Sequence, residues 1–205
     1  MKKRQALQSL LWAGLAAAMG MGLAGCQQKG DTVALKGIDL TGADYGKDFP
    51  LPDADGKVRS IREFAGKVVV VFFGYTQCPD VCPTTMQEMV EARQLMGPHG
   101  DKLQGVFITV DPERDTPEIL QAYASNFDPS IVTLTGSVEQ IKTVAKDFKV
   151  VFRKSENKAS GSYTMDHTAA SFMFDPQGRL RVYHRYGNGA QPLAEDALAL
   201  LGEKA

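Results

Sequence analysis

The chain has 205 residues, with 23 Lys and Arg against 24 Asp and Glu, a formal net charge of −1, and 43% hydrophobic residues. That length suits one domain, and that apolar content excludes a globally disordered chain. The balanced charge lacks the basic excess that nucleic-acid binding demands.

Taken in chain order, Met1-Lys2-Lys3-Arg4 is a basic start, and Ala6 to Leu23 carries no charge. A basic segment followed by an apolar one and small residues is the pattern of a secretory leader. A permanent membrane span is the lesser reading, because the apolar run is short for a bilayer and broken by Gly14, Gly20 and Gly22. Leu23-Ala24-Gly25-Cys26 resembles the lipobox of bacterial lipoproteins, which implies cleavage before Cys26 and acylation of its thiol. The expected organisation is a lipoprotein signal peptide over 1–25, a lipid-attached tether over 26–40 and a folded domain over 41–205. The expected location is the bacterial cell envelope, anchored by lipid on the extracytoplasmic (periplasmic) face of the membrane. Without the leader the balance is 20 basic against 24 acidic residues, or −4. Cys78 and Cys82 then remain as free thiols in a compartment where disulfides can form.

Gln27 to Asp48 is polar and rich in glycine, a tether with a lead-in to the fold. Asp53-Ala-Asp-Gly56 between short apolar runs predicts a hairpin turn; as a calcium loop its ligand spacing is incomplete. Lys67 to Gly74 is a continuous β-branched and aromatic run, the pattern of a strand buried on both faces. A helix is predicted from Pro83 to about Met96, with its methionines as core filler. Gly105 to Val110 predicts a second buried strand, and Asp111 to Pro117 leads into a helix over 118–127. Asp115 or Thr116 suits the cap of that helix and Pro117 its first position. A strand over 131–134, a helix over 137–148 and a short strand over 150–152 follow. Residues 153–164 are polar and are predicted to form a long flexible loop. Strands over 169–174 and 180–186 flank the turn Asp175-Pro-Gln-Gly178, and a last helix covers 193–201. This order predicts an α/β class, thioredoxin-like single domain, with a mixed central β-sheet flanked by helices and a β-hairpin.

The chemistry concentrates at Cys78 and Cys82. A cysteine at a helix start meets unpaired N–H groups and the positive end of the helix dipole, which favour thiolate at a pKa of roughly 3.5–7.5. The C-x-x-x-C spacing is one residue wider than the common redox C-x-x-C; it admits a metal between the sulfurs and does not forbid a disulfide. Soft thiolates outside the cytoplasm point to Cu(I), whereas a structural zinc site would want four protein ligands. Of the histidines, His99 lies in a Gly-Pro turn, His184 in a strand and His167 just after the polar loop. Spacing alone leaves His167 a candidate third ligand and no more.

Phe73-Gly-Tyr-Thr-Gln-Cys-Pro-Asp-Val-Cys-Pro83, Val110-Asp-Pro-Glu-Arg-Asp-Thr-Pro117 and Tyr163-Thr-Met-Asp-His167 resemble the three signature stretches of the Sco/SenC family. The resemblance runs from about residue 40 to the end. It implies a membrane-anchored copper metallochaperone that delivers a copper ion to the binuclear copper centre of cytochrome c oxidase subunit II, or to a related copper enzyme. It also implies Cys78, Cys82 and His167 as the metal ligands. A redox-active Cys78–Cys82 disulfide is expected to empty the site, because disulfide sulfur is a poor ligand, and a thioredoxin-like reductant is an expected further partner. Gln77 stands where many members carry His or Asn. Asp166 has two readings, an orienting group for the imidazole or a polar strand end, and Asp111 to Pro117 reads as a lead-in to its helix. The chain is expected to be a carrier rather than a catalyst; the alternative is a thiol–disulfide oxidoreductase acting on the cysteines of the same subunit. A thiol peroxidase is disfavoured because Tyr75, and not Thr or Ser, precedes Cys78 by three.

Overall fold

The computed structural model describes residues 34–157 and 162–202. The expected leader, Cys26 and the first part of the tether lie outside the described residues. Among the described residues, no helix is long and apolar enough to cross a membrane.

Six strands form the main sheet, in the order β1 (Ile38–Asp39), β10 (Leu180–Arg185), β9 (Ala170–Phe174), β4 (Val68–Gly74), β5 (Leu103–Thr109) and β6 (Val132–Leu134). β4, β5 and β6 run parallel, while β9 is antiparallel to β4 and pairs with β10. The sheet is therefore mixed, as the sequence predicts. All seven residues of β4 are buried, which is why its run shows no polar alternation. Two short strands, β2 (Leu51–Pro52) and β3 (Val58–Arg59), close the expected hairpin over Gly56, whose φ of 78° suits glycine.

The helices are α1 (Val81–Leu95), α2 (Pro117–Ser125), α3 (Val138–Asp147) and α4 (Ala190–Leu201). α1 starts two residues before Pro83, so Pro83 occupies the third helical position, where its missing N–H is still harmless. Of the two candidate caps for α2, Thr116 is the one: its hydroxyl accepts from the Ile119 N–H. Ser137 caps α3 with Gln140 returning the bond, a full capping box. α4 begins three residues earlier than predicted, after Gly189 at a φ of 83°. β1 was not foreseen in its polar segment. It is held at the sheet edge, where the Lys36 and Gly37 N–H groups donate to the buried Asp196 carboxylate.

The core lies on both faces of β4. Phe73, Phe148, Phe172 and Phe174 form one tilted and edge-on ring cluster, and Phe72 and Phe107 meet as a separate pair. Each of these rings is at most 2% exposed, and burial of each stabilises the fold by about 1.5–3 kcal/mol.

The largest departure concerns 153–164. Instead of a loop, Phe152–Asn157 and Ser162–His167 form a separate two-stranded hairpin, β7 and β8, with Phe152 opposite His167. Polar side chains hide the strand signal because most of this hairpin faces solvent. The inward face is narrow: in β8 only Tyr163, Met165 and His167 are partly or fully buried, at the period of two that a strand requires.

Candidate metal centre

β4 delivers the chain to Gly74, and the loop Tyr75–Asp80 then turns into α1. The Tyr75 carbonyl accepts from the Cys78 N–H at 3.2 Å, which folds the loop back. The Cys82 N–H donates to Cys78 Sγ at 3.5 Å, so the first turn of α1 faces the first sulfur with a backbone donor. Both cysteines are free thiols, Cys78 half-buried and Cys82 fully buried. Gly74 is required here: a Cβ on it would lie 2.8 Å from Cys82 Sγ and from the rings of Phe72 and Phe107.

His167 ends β8 and meets Cys82 from the other side, with Nε2 3.6 Å from Sγ. Its Nδ1 lies 3.2 Å from the Thr168 carbonyl. A carbonyl can only accept, so that contact places the proton on Nδ1 and leaves the Nε2 lone pair facing the sulfurs. Phe72 and Tyr75 meet the imidazole edge-on at 6.0 and 5.9 Å. The two sulfurs and one imidazole nitrogen lie within 4.8 Å of one another, and among the described residues no other group of three His, Cys, Asp or Glu converges in this way.

Charge at the site runs against one expectation. The helix start was expected to favour a Cys82 thiolate, but burial pushes this thiol far above its ordinary range. A backbone N–H from Tyr75 opposes that shift without overcoming it, because removing an anion from water outweighs a helix dipole. The metal-free Cys82 is therefore a thiol, and a cation must displace its proton to bind there. Burial also lowers the His167 pKa below its ordinary 6.5, keeping the ring neutral and able to coordinate.

The remaining candidates separate. His184 is buried in β10 with Nε2 2.9 Å from Asp196 Oδ2, part of the anchor of β1. His99 lies half-buried in the turn after α1. Asp166 points outward and pairs with Arg153 across the hairpin at 2.9 Å, so it does not hold the imidazole. The Asp111–Pro117 stretch does more than lead into α2. Asp115, 1% exposed, accepts from the Thr76 N–H and from the Thr76 and Thr109 hydroxyls. It thereby ties the cysteine loop to the end of β5. Three acids with an arginine directly after a buried strand were the available signal, since a buried carboxylate needs several donors.

A profile of the SCO1/SenC family matches residues 39–202. An SCO2-like protein of Rickettsia felis is 37% identical over 135 residues, 65% of this chain and 66% of that one. The chain thus spans about two thirds of that relative's length. Among solved structures, Bradyrhizobium japonicum ScoI with copper bound is 40% identical with a TM-score of 0.67, covering 75% of this chain and 97% of that one. Apo Sco1 of Thermus thermophilus is 36% identical with a TM-score of 0.73, covering 83% and 99%. With the family profile matched over most of its length and the thioredoxin-like architecture shared with those structures, the chain belongs to the SCO1/SenC family.

Proposed function

We propose that this chain is a copper carrier of the cell envelope, holding the ion through Cys78, Cys82 and His167 and passing it to the binuclear copper centre of cytochrome c oxidase subunit II or a related copper enzyme. The observation that carries this reading is the convergence of two sulfurs and an unprotonated imidazole nitrogen within 4.8 Å. Two thiolates and one imidazole form a soft donor set that suits Cu(I) and leaves oxygen-loving cations poorly served. The copper bound to ScoI of Bradyrhizobium japonicum supports the same choice of ion. Acylation at Cys26 would keep the carrier at the membrane where an oxidase assembles.

Cargo must also leave. The cysteines are built into the end of the main sheet, whereas His167 rides on a separate hairpin. Release begins with His167, whose place a recipient's donor takes, and ends with the thiols. The test is titration of wild type and His167→Ala with Cu(I) and Cu(II). A loss of about tenfold or more in the variant supports the site; equal affinities for both ions in both proteins rule His167 out as a ligand.

A second reading is favoured by the free thiol pair itself. Oxidation of Cys78 and Cys82 to a disulfide would give two electrons and two protons to a disulfide of the recipient, converting it to two thiols. That exchange needs both cysteines and not His167. An oxidase-deficient strain lacking this protein, restored by added copper, favours delivery; restoration by a thiol reductant favours the exchange.

A further inference from the structure

Resting on the copper-carrier reading, a second layer of the site follows from how the hairpin is fastened. Arg114, in the turn between β5 and α2, touches three separate parts of the centre. Its Nε donates to the Asp111 carboxylate. Its Nη1 donates to the Gln77 side-chain oxygen at 3.0 Å, next to Cys78, and to the Tyr163 carbonyl at 2.9 Å, on the strand that carries His167. Its guanidinium carbon lies 3.6 Å from the Tyr163 ring centroid, and Lys154 Nζ lies 3.8 Å from the same centroid. Tyr163 completes the loop, donating its hydroxyl to Asp111 at 2.9 Å.

We propose that Arg114, with Asp111 and Tyr163, is the catch that sets the distance between His167 and the two cysteines. Arg114 is a positioning residue: it bonds one neighbour of each half of the donor set and acts on the ion through His167. The geometry explains why one residue suffices. Tyr163 and His167 lie four apart on an extended strand and share its inward face, so fixing the first fixes the approach of the second. A guanidinium suits the task because its donors form a planar fork that can serve three acceptors and stack on a ring at once; an ammonium cannot.

The test is a double-mutant cycle with Arg114→Gln and His167→Ala, read by Cu(II) affinity and by nitrogen coupling in the electron paramagnetic resonance spectrum. Arg114→Gln should weaken binding about tenfold and reduce the imidazole coupling, yet change nothing further in the His167→Ala background. Additive losses, or a single variant with unchanged affinity and coupling, overturn the proposal. Hydrogen exchange of the metal-free protein separates this from the carrier reading. Amides of Ser162–His167 should exchange about tenfold faster in Arg114→Gln while those of β4 and β5 hold, whether or not copper binds. Should Arg114→Gln unfold, Tyr163→Phe removes one hydroxyl only; it should speed hairpin exchange several-fold, and unchanged exchange there counts against the catch. Arg114→Lys should restore less than half of the lost affinity, and full restoration would show that charge alone is enough.

Discussion

The cysteine loop and the histidine hairpin bring donors to one point by unlike construction. Cys82 sits at the start of a fifteen-residue helix, against the end of a strand whose seven residues are all buried. His167 ends a two-stranded ribbon that has its own pairing and, among the described residues, no ladder to the main sheet. A donor in the core is held by packing on every side, so its position is as stable as the fold. A donor on a ribbon is held by a few side-chain contacts, each of which can open alone. For the copper carrier proposed above, that inequality would be useful: the core half would retain the ion and the ribbon half would admit a recipient's donor.

Substitution of Cys82 should have the most severe consequence for the core half of the site. Cys82→Ser should reduce Cu(I) affinity by more than about a thousandfold, because a buried hydroxyl is a poor soft-metal donor. Competition with a Cu(I) chelator measures it, and a variant within tenfold of wild type would remove Cys82 from the site. Gly74→Ala acts on the same half through packing. A Cβ 2.8 Å from three core atoms should destabilise the protein by about 1–3 kcal/mol. Chemical denaturation checks this, and loss of affinity should accompany it as the sulfur is displaced.

Proton linkage sharpens the contrast. Burial raises the Cys82 pKa, so Cu(I) displaces a proton there throughout the neutral range, and affinity should rise by at least about tenfold per pH unit from 6 to 8. Burial lowers the His167 pKa, so the folded ring binds protons less readily than the unfolded one. Its contribution to stability is complete above 6.5 and is lost as pH falls below that value. Titration of the imidazole followed by nuclear magnetic resonance should therefore have its midpoint below 6.5, and His167→Ala should flatten the acid side of the stability profile. The smallest effect is expected at Arg153→Ala. Its pair with Asp166 is exposed on both sides, so stability should change by less than about 0.5 kcal/mol. A larger loss would mean that the hairpin is stiffer than its construction implies.

The legible parts of this molecule are those where one segment decides its own fate. The apolar run at Val68–Gly74, the turn at Asp53–Gly56 and the helix cap at Thr116 follow from local rules, and C-x-x-x-C followed by a helix is visible as a motif. The hairpin was not, because among its described side chains this polar ribbon buries only Phe152 in β7 and Tyr163, Met165 and His167 in β8, wholly or in part, too few to stand out from a loop.

By itself the sequence determined the α/β order, the paired thiols and the chemical softness of the site, since these depend on composition and near-neighbour spacing. Tertiary structure alone decided the rest. It carried His167 across 85 residues to within 3.6 Å of Cys82, buried a thiol that its helix start would have ionised, and turned Arg114 from a residue of a turn into a bridge between two halves of the centre. Those outcomes depend on desolvation and on contacts between distant segments, and neither is encoded at any one position.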